Sequence, residues 1–356
     1  MSADLAVVGG GIVGSFVAHR AAALRPHWRT VVLERDVPAR GATAWSAGAD
    51  FPLAATAEHR SLVEESRRLY DELQDTPPGL FVRPVRMVYV VASSRLHDLR
   101  ARTVADLTPT GAQEADRIRR MLPGLRFKTD ECAVTHRGRG AVVAARGLTE
   151  ALLTGGVRKG CTAVQIGQRV ESVERVANGY RLTAGANQWQ ARRVVIAVGP
   201  WELPRPLAPG FEAAVPEARR KRVAALHAQL PVRADDPLVY FVDDDLFVLP
   251  LCEGQALVSF RRNVWDEDPD TLDGQADAAD LEEGVRALAA RSGRAAAAVV
   301  GGRAFQDLYT PGRLPLVHTV PDMPGLSAVV GGSGSGVRLA PALAARALDS
   351  VLDSAA

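Results

Sequence analysis

The chain has 356 residues, 47% apolar and 24% charged, with a net charge of +2; that length exceeds what one hydrophobic core usually supports, so two domains are expected. So small a net charge excludes binding to nucleic acid or an anionic membrane by a strong positive field, and no apolar run is long enough to span a bilayer. Three dispersed cysteines, Cys132, Cys161 and Cys252, argue against a disulfide framework or a metal centre; with an N-terminus that lacks a signal-peptide pattern they point to reduced thiols and a cytoplasmic protein.

Leu5–Val8 reads as a buried strand, Gly9-Gly10-Gly11-Ile12-Val13-Gly14 as a Gly-x-Gly-x-x-Gly turn, the run to Leu24 as a helix, and Thr30–Leu33, closed by Glu34, as a second strand. In that setting Gly9 permits the tight turn, Gly11 lets a pyrophosphate approach the backbone, and Gly14 lets the helix pack on the strand. The helix start offers N–H groups and a positive dipole end to phosphate. Glu34 lies 20 residues beyond Gly14, where a carboxylate accepts ribose hydroxyls and an acid argues against a 2′-phosphate. The fingerprint predicts a dinucleotide and does not by itself separate FAD from NAD.

Residues 35–50 read as a loop. Thr43 and Ser46 offer hydroxyls there, Gly41 and Gly48 bare backbone, and Arg35 and Arg40 charge. Beside a dinucleotide turn such a loop suits pyrophosphate and ring contacts; taken alone it is a surface connection. Ala57–Leu73 reads as an amphipathic helix stopped by Pro77-Pro78-Gly79, Phe81–Val91 as a strand, and Leu96–Leu107 and Thr110–Met121 as short helices. His136–Gly140 is a glycine-arginine turn and Gly147–Val157 a helix. Cys161–Leu182 gives strand-like runs with Asn178-Gly179 as a hairpin turn, and Arg193–Val198 is a buried strand ending in Gly199-Pro200-Trp201. A strand end followed by glycine is where open α/β sheets place ligands. Several closely spaced strands between Glu217 and Asp268 suggest an antiparallel sheet, with Asp243-Asp244-Asp245 as a turn whose carboxylates are solvated sooner than metal-bound. Arg219-Arg220-Lys221-Arg222 reads as a solvated charge run. Asp280–Ala290 is helical. Leu326–Val330 is a strand, followed by the glycine-rich turn Gly331–Gly336 and an amphipathic helix from Val337 to Leu352: a second place where a strand, a turn and a helix start gather backbone donors.

The order of Gly9–Gly14 with Glu34, the 41–48 loop, Val194–Trp201 and Leu326–Pro341 resembles the FAD-dependent D-amino-acid oxidase superfamily, in its glycine oxidase and monomeric sarcosine oxidase branch. Strand-glycine-Pro200-Trp201 and Gly334-Ser335-Gly336-Val337-Arg338 are the more specific parts, and the resemblance implies FAD. It also implies an α/β fold: an FAD-binding Rossmann-type domain with a parallel sheet, from residues 1–79, 140–208 and 300–356, and an α+β substrate domain with a mixed, largely antiparallel sheet, from residues 80–139 and 209–299. By that resemblance Gly11, Ile12 and Val13 cover the pyrophosphate and Glu34 holds the adenosine ribose. Arg35, Thr43, Ser46 and Ala47 belong to the cofactor side, and Val170 meets adenine through its backbone. Gly199 and Trp201 close over the cofactor, and Gly334, Ser335, Gly336, Val337 and Arg338 border the flavin ring.

The implied chemistry is oxidation of the C–N bond of a small amine or amino acid to an imine, by hydride transfer to flavin N5, with oxygen as the acceptor. A substrate carboxylate asks for an arginine. The resemblance offers Arg338, whose replacement by alanine would then raise KM for an acidic substrate, and Arg303, after Gly301-Gly302; Tyr309, His59 and His227 are further pocket candidates beside their ordinary structural roles. Two departures stand out. Thr310-Pro311-Gly312-Arg313 lacks an aspartate common among relatives, and Cys252 does not match the covalent flavin pattern, so a buried free cysteine and non-covalent FAD are expected; Lys221 is the one candidate for a lysine that activates oxygen. A dehydrogenase passing electrons to a quinone or protein, and a non-catalytic FAD-stabilised subunit, remain the alternatives.

Overall fold

The computed structural model describes residues 2–136, 138, 140–207, 215, 217–319 and 322–353. The 208/209 domain boundary, and Arg137 and Arg139 of the glycine-arginine turn, lie outside the described residues.

Two large sheets carry the chain. In the first, Ser2–Val8 lies between Thr30–Leu33 and Asn187–Ile196, all parallel. Thr162–Gln165 extends it beyond Thr30–Leu33, and Leu326–Val330 joins Asn187–Ile196, also parallel. Both faces of this parallel core are covered, so its strands read as unbroken apolar runs; Leu5, Val194, Val195 and Ile196 are wholly buried. The predicted hairpin around Asn178-Gly179 forms, pairing Ser172–Val176 with Gly179–Ala184. Helices Ile12–Leu24, Ala57–Asp71, Ala145–Arg158 and Gly336–Asp353 pack together on one face. Pro341 sits inside the last of these. It has no N–H to give the Val337 carbonyl, and the buried Tyr70 hydroxyl donates to that carbonyl instead, at 2.6 Å.

The second sheet runs in the order Val299–Tyr309, Arg219–Gln229, Gln255–Ser259, Leu246–Cys252, Leu238–Phe241, Met87–Ala92, Glu131–His136, Leu107–Pro109. It is antiparallel except between Leu238–Phe241 and Met87–Ala92. Helices Ala112–Met121 and Ala278–Arg291 cover one face. The other face turns toward the first sheet and the 41–53 segment.

Several expectations are corrected. The 35–50 loop contains a short helix, Ala42–Trp45, and a two-residue strand, Ala49–Asp50. Residues 300–309, assigned by the resemblance to the cofactor part, lie in the strand Val299–Tyr309, an edge of the second sheet paired along its length with Arg219–Gln229. The charge run is solvated only in its first half: Arg219 is exposed and Arg220 half-buried, whereas Lys221 is 8% exposed and Arg222 4%. Arg222 is compensated by a carboxylate buried with it, since its Nη2 donates to Asp280 at 2.6 Å, and Arg262 Nε donates to the same carboxylate at 2.8 Å. Breaking such a buried pair by removing one partner costs about 3–5 kcal/mol. Cys252, expected buried, is exposed where the strand register shifts after Pro250. The three consecutive aspartates do form a turn, and each carboxylate meets a cation: Arg95, then Lys128 with Arg291, then Arg261. No metal-binding cluster and no helix long and apolar enough to cross a membrane occur among the described residues.

Candidate functional site

A cavity of about 390 Å³ lies between the two glycine turns. Its floor at one end is the first turn. Gly9 has φ +107°, and a Cβ there would overlap the Ala197 carbonyl oxygen; a Cβ on Gly14 would overlap the Gly9 carbonyl oxygen. Strand, turn and helix are therefore packed against one another through bare backbone. Gly11 opens the helix Ile12–Leu24, and the Thr43 hydroxyl accepts from Ile12 N at 3.0 Å. That bond ties the short helix Ala42–Trp45 to the turn, where the 41–48 segment is expected to serve a cofactor.

Glu34 closes the same end. One carboxylate oxygen accepts from Gly10 N at 2.7 Å and the other from Asp36 N at 2.9 Å. Burial pushes its carboxyl up, against the pull of those two N–H groups. An ionised carboxylate has about four acceptor positions, so capacity remains for two hydroxyls. Arg35 Nη2 and Trp201 Nε1 both donate to Asp270 Oδ1, at 2.6 and 2.8 Å, and the Arg35 guanidinium lies over the Trp201 ring at 5.1 Å. The Trp201 ring also covers Gly41, where a Cβ would come within 2.6 Å of it. Asp270, from the second sheet's connections, thus clips both residues across the cavity. Arg35 Nη1 is buried without a partner.

The far end is built by the second turn. Ser333 N donates to Leu308 O at 2.9 Å, and Gly334 N to Asp307 Oδ2 at 2.7 Å. Leu308 N takes the other Asp307 oxygen at 2.9 Å. Asp307 lines the cavity and is 9% exposed. Burial raises its pKa to about 6, opposed by the two N–H donors.

The cavity brings together Gly9, Gly11, Ile12, Val13, Glu34, Arg35, Thr43, Ser46, Val170, Gly199, Trp201, Gly334, Gly336 and Val337. Gly14, Ala47, Ser335, Arg303, Tyr309 and Arg338 stand outside its lining. Arg338 is 8% exposed and fully engaged: Nη1 donates to the carbonyls of Phe51 and Leu53 at 2.6 and 2.7 Å, and Nη2 meets Ser335 Oγ and His59 Nε2 at 3.0 and 2.8 Å. Burial and Arg338 lower the His59 pKa to about 4, and because a guanidinium can only donate, Nε2 is the acceptor of this bond. This guanidinium holds the 51–53 segment against the last helix.

Arg303 differs. It projects from the strand Val299–Tyr309 on the face shared with Ala225 across the sheet. Nη2 donates to Ser46 O at 3.1 Å, while Nε is buried without a partner. No acid pairs with it among the described residues, and burial lowers its pKa to about 10. On the same face the rings of Phe51, Tyr240 and Phe247 meet tilted or edge-on at 5.2 to 6.3 Å. Tyr309 touches the second turn: a Cβ on Gly334 would come within 2.7 Å of its hydroxyl. His227 lies near Arg303, and burial with that guanidinium lowers its pKa.

Asp307 and Asp270 were not singled out from the sequence. The alternation Arg303, Phe305, Asp307, Tyr309 was the available sign of Asp307. Asp270 sits in a polar connection without any such pattern. None of the cysteines lines the cavity. The shape fits FAD: two turns of bare backbone, a carboxylate with spare acceptor capacity and an orphaned guanidinium nitrogen face one continuous space.

A sequence model of the family described as FAD dependent oxidoreductase matches residues 4–349. An uncharacterized oxidoreductase, YurR, of Bacillus subtilis (strain 168) is 25% identical over 370 aligned positions, covering 97% of this chain and 94% of that protein. Among solved structures, glycine oxidase from Geobacillus kaustophilus superposes with a TM-score of 0.80 at 19% identity, over 99% of this chain and 95% of that one. Iminodiacetate oxidase from Chelativorans sp. BNC1 does so with a TM-score of 0.76 at 20% identity, over 98% and 95%. At such identities these likenesses concern the fold.

Proposed function

Because the chain belongs to the FAD dependent oxidoreductase family, and FAD is its cofactor, we propose that it oxidises the C–N bond of a small amine carrying a carboxylate, with oxygen as the final acceptor. The observation that carries this reading is Arg303: a half-buried guanidinium with one carbonyl partner, a buried and orphaned Nε and no carboxylate beside it among the described residues. Leaving a buried charge unpaired costs several kcal/mol, and a substrate carboxylate taken up by two parallel hydrogen bonds removes that cost. The oxidase activities named for similar folds support the same chemistry.

Bound FAD supplies the acceptor for the hydride that leaves the carbon bearing the amine. The chain's part is positioning and electrostatics. Arg303 fixes the carboxylate, and the Phe51–Tyr240–Phe247 wall excludes water from the amine. Gly11, Ile12 and Val13 present N–H groups to the pyrophosphate, Glu34 takes the ribose hydroxyls, and Gly334–Val337 borders the ring. The cofactor part comprises residues 1–79, 140–208 and 310–356 and the substrate part 80–139 and 209–309, the last boundary following the pairing of Val299–Tyr309. Free cysteines and the small net charge suit a cytoplasmic protein acting on small molecules.

The test is anaerobic bleaching of the flavin by glycine, sarcosine, proline and D- and L-amino acids, followed by admission of air and assay for hydrogen peroxide. One or more of these should bleach the flavin, and Arg303→Met should weaken that substrate by roughly 100-fold in kcat/KM while FAD stays bound. A flavin that no member of the panel reduces overturns the reading. A flavin that is reduced but not reoxidised by air moves the acceptor to a quinone or a protein.

A further inference from the structure

The face of the second sheet that carries Arg303 holds another cation without a counter-ion. Lys221 stands directly across from Asp307, as Ala225 does from Arg303. Its neighbours Arg222, Ala224 and Leu226 point to the opposite face, into the Asp280 cluster and the helix-covered core. Lys221 is 8% exposed. Among the described residues its ammonium has no hydrogen bond and no ion pair; it lies over two aromatic rings, Trp265 at 5.5 Å and Tyr309 at 5.2 Å. Those rings meet edge-on at 5.8 Å, and Tyr309 is the residue that touches Gly334 of the second turn.

The surrounding charges do not compensate it. Arg261 and Arg313 bear on Lys221 with the same sign, and Asp245 is the opposing carboxylate. Asp245 is already engaged, accepting the Tyr240 hydroxyl at 2.9 Å and pairing with Arg261 at 3.5 Å. Asp307, although opposite in register, has both oxygens on backbone N–H groups. Three cations against two carboxylates that are already engaged, Asp245 and Asp307, leave surplus positive charge to which an anion can bind.

We propose that Lys221 binds a second anionic group of the substrate, so that the amine oxidised is an amino acid whose chain ends in a further carboxylate. This rests on the amine-oxidising reading above and narrows it. Lys221 and Arg303 are four strand residues apart, roughly 13 Å along the sheet. The second carboxylate therefore lies well away from the first, and a short diacid does not span both cations.

The experiment uses the FAD-loaded protein and ligands that cannot be oxidised. Succinate, glutarate, adipate and pimelate are titrated by calorimetry beside monocarboxylates of matching length. Wild type should favour the longer dicarboxylates by on the order of 10- to 100-fold, the worth of one charge-assisted hydrogen bond. Lys221→Met should abolish that ratio, and Lys221→Arg should restore most of it. Lys221→Gln serves where the methionine variant does not fold. A merely structural lysine would alter thermal stability and leave the ratio in place. A wild type without the preference, or a variant that keeps it, overturns the proposal. Because no turnover is involved, failure of all amines to bleach the flavin would overturn the catalytic reading separately.

Discussion

Replacing Gly14 by alanine should separate the two turns' packing from their chemistry. A Cβ at this position falls inside the Gly9 carbonyl oxygen, with Val7 Cγ1 at 3.2 Å on the other side. The oxygen is backbone and cannot rotate away, so the helix start must shift by on the order of 1 Å, and overpacking of this kind costs about 1–3 kcal/mol. The same shift carries the first-turn N–H groups off the pyrophosphate. Losing one charge-assisted bond, at about 1.5–3 kcal/mol, should raise the Kd for FAD by roughly 10- to 100-fold. The assay is FAD fluorescence quenching on apoprotein, with thermal unfolding measured on the same samples. Gly155→Ala is the control: nothing lies within 4 Å of its Cβ, it sits inside the helix Ala145–Arg158, and alanine should stabilise that helix by about 0.5–1 kcal/mol with FAD affinity untouched. A Gly14→Ala protein that binds FAD like wild type would refute the close-packing argument.

Other residues give independent checks. Arg338→Met removes the guanidinium donor from the Phe51 and Leu53 carbonyls, of which Phe51 keeps the Leu53 N–H, so it should lower stability by roughly 1–3 kcal/mol; a variant with wild-type melting and a raised KM alone would make Arg338 a substrate-binding residue. Asp270→Asn weakens the partly exposed clip on Arg35 and Trp201, and stopped-flow displacement should show FAD leaving roughly 3- to 10-fold faster; an unchanged rate would make the clip incidental. Asp307 has a folded pKa raised to about 6 from an ordinary 3.8. Its contribution to stability is therefore present below pH 4 and is lost as pH rises through 6. Relative to Asp307→Asn, the wild-type apoprotein should lose roughly 3 kcal/mol across that window, and parallel stability curves for the two proteins would contradict the assignment.

The parts legible in the sequence are those where the backbone itself demands a residue type. Gly9 and Gly14 are imposed by contacts that no side chain could share, and Val194-Val195-Ile196 is imposed by burial on both faces. Val299–Tyr309 escaped because its inward face is polar: Asp307 lines the cavity and Arg303 lies against Ser46 beside it, so the usual rule of apolar residues inside is inverted where the site is made. Lys221 and Arg222 look solvated in sequence because Asp280, which compensates Arg222, lies 58 residues away. For Arg338, sequence can name a cation near the turn, but its main acceptors are the carbonyls of Phe51 and Leu53, and a carbonyl has no residue signature. Arg303 is offered by the resemblance as a carboxylate partner, but its lack of an acid partner is a property of the folded chain.

That both glycine turns enclose one cofactor is tested most directly by the amount of flavin on the purified protein. Saturated with FAD, washed and denatured in acid, the protein should release one FAD per chain into the supernatant as free yellow flavin. Protein that stays colourless and retains no FAD would contradict it.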